Sequence, residues 1–147
     1  MNSGARCVKA GLLLLPIGLV GGLLMSLYAF VPLVQPPAGL VNYDDLPRRL
    51  LRLGHIAAIM LPLITIVTGL VLDRLWLPDR AKNWAGALLI IGAATLPAAL
   101  AVEGCVAGAR ELHLAALPAI TFVTGACVAG IGALRTPAGG LAHDRLR

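Results

Sequence analysis

Apolar residues in this chain run on almost without interruption in four stretches, 10–34, 54–72, 84–102 and 112–134, and the segments between them hold nearly all the charge. About 20 helical residues at 1.5 Å rise cross a hydrocarbon core of roughly 30 Å. Lipid offers no partners to backbone N–H and C=O groups, so a single apolar stretch of this kind crosses it as a helix. The pattern predicts an all-α membrane protein, one domain with four transmembrane helices. Each later span has its own punctuation: Arg52 and Asp73 bracket the second, Asn83 and Glu103 the third, Glu111 and Arg135 the fourth.

Composition agrees and removes other classes. Apolar residues make up 59% and charged residues 13% of the 147, against roughly 45–50% and about 25% in soluble domains. A mean hydropathy of +0.88 is far from that of a disordered chain. Lys and Arg outnumber Asp and Glu, 12 to 7, but the cations flank apolar runs and are not interleaved with stacking aromatics, so no nucleic-acid partner is expected. Cys7, Cys105 and Cys127 are odd in number and lack metal-binding spacing, which predicts neither a disulfide framework nor a zinc site.

The first span competes with a secretory signal, since Arg6 and Lys9 precede a run of leucines. The run is longer than a signal's apolar region of about 7–15 residues, and no small-x-small cleavage pattern follows it. Counting Lys and Arg in alternate connections puts eight on the side of the termini and the 73–83 loop (Arg6, Lys9, Arg74, Arg80, Lys82, Arg135, Arg145, Arg147) and four opposite (Arg48, Arg49, Arg52, Arg110). The positive-inside rule then places both termini in the cytoplasm of a bacterial type of cell, with the chain in its inner membrane and Trp76 and Trp84 at the inner interface. In the long outer connection, Asp44 and Asp45 before Pro47 read as a helix start. The Arg-rich segment 44–53 is expected either along the headgroups or running straight into span two, and 135–147 is a polar tail containing His143.

Spans two and four share a cassette: Leu61-Pro-Leu-Ile-Thr-Ile-Val-Thr-Gly69 matches Leu117-Pro-Ala-Ile-Thr-Phe-Val-Thr-Gly125 at seven of nine positions and holds four of the six threonines. The spacing between the two copies spans a whole hairpin, so the expected architecture is two duplicated helical hairpins related by a pseudo-two-fold axis along the membrane normal. Spans two and four would then form the inner pair. Pro62 and Pro118 leave the carbonyls of Ala58 and Leu114 without helix donors. Gly18 and Gly22, and Gly104 and Gly108, have the spacing of close helix contacts.

No Asp, Glu, Lys or Arg lies deep in a span, which argues against a proton-coupled pump and against a four-helix multidrug exporter with a glutamate in its first span. No hydrolase or nucleotide-binding signature is present, so a self-contained enzyme is not expected. The remaining candidates are His55 and His113, each three residues after an arginine, in Arg52-Leu-Gly-His55 and Arg110-Glu-Leu-His113. Facing imidazoles would supply both axial ligands of one haem b near the outer face, with Arg52 and Arg110 pairing its propionates. The same histidines would serve another metal, with Glu103 or Glu111 nearby. Interfacial histidines beside snorkelling arginines are the plain alternative. His55 stands seven residues before Pro62 and His113 five before Pro118, an offset that turns them roughly 200° apart relative to the cassette. Three functions stay open: a small b-type cytochrome or membrane-anchor subunit in quinol electron transfer, a structural subunit or assembly factor of a larger membrane complex or homo-oligomer, and a small-solute carrier lined by the threonines.

Overall fold

The computed structural model describes residues 2–29 and 44–137, with Gln35, Leu40 and Asn42 between them. Four helices follow one another: α1 (Ser3–Ala29), α2 (Leu46–Leu72), α3 (Asp79–Cys105) and α4 (Ala116–Arg135), with a 3-10 helix, Ala107–Leu112, before α4. All four are long and apolar enough to cross a membrane, and no strand occurs among the described residues. Residues 30–34 of the first predicted span and 138–147 of the tail, His143 included, lie outside the described residues.

Local chemistry accounts for the boundaries. The Arg-rich segment runs straight into span two: α2 starts at Leu46 with Pro47 in its first turn, where a missing N–H costs nothing. Asp45 stands at the N-cap, but its carboxylate accepts from the Asn42 N–H at 3.3 Å instead of from the helix. Pro78 stands earlier relative to its helix, at the N-cap of α3 in extended backbone. The fourth helix begins four residues later than the apolar pattern suggests, because His113 takes a left-handed conformation (φ 48°) that no α-helix continues through.

Helices in lipid gain no hydrophobic reward for meeting, so close packing through small residues selects their neighbours. Along α1, Gly4, Gly11 and Gly18 recur every seven residues and form the seam with α2. A Cβ at Gly4 would stand 2.3 Å from the Gly69 carbonyl oxygen, at Gly11 2.5 Å from Ile66 Cγ1, and at Gly18 2.4 Å from the Ala58 oxygen. None of these positions admits even a methyl group. The α3–α4 seam repeats the device: a Cβ at Gly92 would lie 2.6 Å from Phe122 Cβ, and one at Gly125 3.0 Å from the Ala85 oxygen. Ile66 and Phe122 hold the same place in the two cassettes, as do Gly69 and Gly125. Behind the seams, the prolines within α1 and α3, Pro16 and Pro97, each follow the seam glycine by five residues.

The inner pair expected from the cassettes is not formed. Helix α3 packs against α1, α2 and α4, while α2 and α4 have no substantial contact. The reason lies in three glycines on α3 that meet three different partners: Gly86 meets Cys7 of α1, Gly92 meets Phe122 of α4, and Gly104 meets Leu51 and Pro47 of α2. Buried side chains gather in two clusters along α3, Cys7, Leu72, Leu75, Ala85 and Ala129 in one, Leu89, Ala93 and Phe122 in the other.

The end of the bundle that carries the N-terminus is tied by polar groups. The Gly4 N–H donates to Asp73 Oδ1 at 3.1 Å, so the carboxylate following α2 serves an orphan donor of the first turn of α1. Ser3 Oγ donates to Asn83 Oδ1 at 2.6 Å, the Arg6 guanidinium donates to the same oxygen, and Lys82 Nζ donates to the Asp73 carbonyl at 2.8 Å. The Trp76 N–H donates to Thr136 Oγ1 at 2.9 Å, which fastens the α2–α3 loop to the end of α4. Trp76 and Trp84 are both exposed at this end, as interfacial anchors are.

Candidate functional site

His55 lies in the third turn of α2, with its imidazole pressed against Gly22 of α1. A Cβ at Gly22 would stand 2.3 Å from His55 Cε1 and 2.7 Å from Nε2. Glycine at this position is the condition for the ring to be there. Of the two ring nitrogens, Nδ1 is buried with no hydrogen-bond partner, which is uncommon because an unpaired buried polar group costs about 1–3 kcal/mol.

Beside the ring, α1, α2 and α3 diverge to leave a cleft of about 350 Å³, within the roughly 300–1,000 Å³ typical of small-molecule sites. Its walls are Ile17, Gly18, Gly21 and Met25 of α1, Leu51, Gly54, His55 and Ala58 of α2, and Ala94, Pro97, Ala98 and Ala101 of α3. The imidazole is the sole polar side chain among these. Ile17 is exposed on the outside of the bundle, so the mouth opens toward lipid. The Ala58 carbonyl, freed of its helix donor by Pro62, lies against Gly18. Thr65 does not serve that carbonyl; its hydroxyl donates to Leu61 O at 2.8 Å.

His113 has a different setting. It lies on the α3–α4 connection and not on α4; it is exposed, with Nδ1 2.9 Å from the Arg110 carbonyl oxygen. Arg110 completes the end of α3, donating from Nε to the Glu103 carbonyl at 2.9 Å and from Nη2 to the Gly104 carbonyl at 3.4 Å. Glu103 is buried, and its Oε1 accepts from the Ala115 N–H at 2.8 Å, where α4 begins. These groups satisfy helix ends. Replacing His113 with glycine is expected to leave stability unchanged, because glycine adopts left-handed backbone freely. Valine at that position should cost roughly 1–2 kcal/mol. Denaturant titration of the detergent-solubilised variants measures both, and equal stability of the two would remove this account of the turn.

The sequence motif pairs His55 with His113 and Arg52 with Arg110, but the structure does not seat the two imidazoles in a shared space. His55 packs on α1 and lines the cleft; His113 and Arg110 belong to the turn after α3. Arg52 is half-buried one turn before His55 on α2. No group of three or more His, Cys, Asp or Glu side chains arranged for a metal occurs among the described residues. Three cassette threonines return their hydroxyls to their own helices, Thr65 to Leu61 O, Thr121 to Leu117 O and Thr124 to Ile120 O, each at 2.8 Å. Helices α2 and α4, which carry these threonines, have no substantial contact with each other.

Sequence reasoning missed the role of Gly21 and the alanines of α3 in the cleft. Their only signal is small size at helical spacing, and in a chain with 17 glycines that signal is common. Compared with family models, with curated proteins and with solved structures, the chain matches none.

Proposed function

We propose that this chain is a membrane-anchor subunit that holds a small lipid-soluble molecule in the cleft beside His55, and that it is not a self-contained enzyme. One observation carries the reading: the His55 imidazole is the sole polar side chain lining an otherwise apolar cleft that opens toward lipid. A bundle with no use for the cleft gains nothing from an imidazole there, since leucine would fill the space without an orphaned nitrogen. For the b-type cytochrome reading, His55 stands on α2 beside the cleft, whereas His113 is exposed on the turn after α3 with its Nδ1 at the Arg110 carbonyl.

The visible spectrum and the organic extract of protein purified in mild detergent test this. The expected result is a colourless protein whose extract contains a lipid-soluble compound that is depleted in a His55→Leu variant. A Soret band lost in His55→Ala would replace this reading with a cytochrome.

The membrane is, in this proposal, a bacterial inner membrane with both termini cytoplasmic, as the distribution of Lys and Arg implies. Cys105 is exposed at the end of α3 remote from the termini, whereas Cys7 is buried. In a Cys127→Ser variant, a membrane-impermeant maleimide added to spheroplasts should label Cys105. Labelling only after lysis would reverse the orientation. The two hairpins are, we infer, copies of one ancestral hairpin; the equal register of Gly11 on Ile66 and Gly92 on Phe122 supports this.

A further inference from the structure

Resting on the cleft reading above, we propose that the occupant is a quinone: a neutral planar ring whose carbonyl accepts a hydrogen bond from His55 Nε2 and whose hydrocarbon tail leaves past Ile17 into the bilayer.

Three features of the cleft select this class. The first is shape. Gly18 and Gly21 on α1 and Ala94 and Ala98 on α3 add almost no side-chain bulk to its walls, and a flat ring is accommodated between them.

The second is polarity. Only Nδ1 of the imidazole is buried without a partner. Placing a proton on Nε2 and none on Nδ1 avoids burying an unpaired N–H donor, and Nε2–H is then the group the ring offers to the occupant. Its complement is a neutral acceptor such as a carbonyl oxygen. No Lys or Arg lines the cleft, so a fatty-acid carboxylate or a lipid phosphate would lose its hydration with no cation to replace it.

The third is the exit. The exposed Ile17 stands where the slot meets lipid, and a long apolar tail there stays in the bilayer while the ring is held.

The test uses the full chain in nanodiscs and the retention of radiolabelled decylubiquinone above that of empty nanodiscs. Gly21→Leu is the informative variant, because a Cβ at Gly21 meets nothing within 4 Å, so the new side chain fills the slot without touching the seam. Ala94→Leu, from the opposite wall, serves if Gly21→Leu does not give a monodisperse protein. Gly130→Leu on α4, where a Cβ also meets nothing within 4 Å, is the control.

Saturable retention is expected in the native chain and in Gly130→Leu, with none in Gly21→Leu or Ala94→Leu. Binding in His55→Leu should be about five- to tenfold weaker, the worth of one neutral hydrogen bond. If decylbenzene, which has the tail but no carbonyl, is retained equally and Gly21→Leu abolishes both, the quinone assignment fails, and the cleft reading stands as long as the organic extract of the native protein is depleted in His55→Leu. If the slot-filling variants change nothing, both fall.

Discussion

Leucine in place of Gly92 is expected to release α4 from the bundle. A Cβ at this position would lie 2.6 Å from Phe122 Cβ, 2.8 Å from its Cα and 2.9 Å from its N. Two of those atoms are backbone, so the collision cannot be relieved by turning a side chain, and the helices must part. Helix α4 has no substantial helix partner besides α3; once that seam opens, what remains is the Thr136 tie, the packing of Gly132 on Leu75 and Leu77 of the α2–α3 loop, and the turn at Glu103. The expected loss is about 3 kcal/mol, the upper end of what overpacking costs. Gly130→Leu adds the same bulk to the same bundle with nothing within 4 Å of its Cβ, and should change stability by no more than about 0.5 kcal/mol. Unfolding in increasing fractions of dodecyl sulfate, followed by circular dichroism, compares the two. Equal midpoints would mean that the glycine seam does not hold α4.

Glu103 should show the second large effect, and a chemical one. Its carboxylate is buried and accepts the Ala115 N–H at the start of α4. Glu103→Ala removes the acceptor and leaves that donor without a partner near the membrane surface, at an expected cost of about 2 kcal/mol. Glu103→Gln keeps a carbonyl oxygen at the same place and should retain most of the stability. A metal-binding role would predict the reverse pattern, with folding intact in both variants and a bound ion lost in both. The same dodecyl sulfate titration, with metal analysis of the purified protein, separates the two.

Several features are legible in the sequence itself. Four uncharged runs identify four helices, and Pro47 marks the start of the second. Other parts were hidden for definite reasons. The run from Leu112 onward is apolar enough to extend span four, yet His113 turns left-handed and ends the connection there, a backbone choice that hydropathy does not register. Gly18 and Gly22 read as one contact face by spacing. In the bundle they do different things: Gly18 meets the Ala58 carbonyl within the seam, and Gly22 makes room for the His55 ring. The matched Arg-x-x-His motifs invite a two-histidine site, but similar letters fell on a helix in one copy and on a turn in the other. The five-versus-seven spacing to the prolines was the signal that they differ.

Sequence alone dictated that this chain crosses a membrane four times as helices, because lipid obliges every span to satisfy its own backbone and each apolar run answers that demand independently of the others. Only the tertiary structure decided which helices meet, that α3 is the common neighbour, and that His55 and not His113 stands beside a cleft. In lipid there is no gradient from polar to apolar surroundings to mark an inner face. Neighbours are chosen by the fit of small residues against backbone at distances of a few ångströms, and that fit does not exist until three helices are placed together.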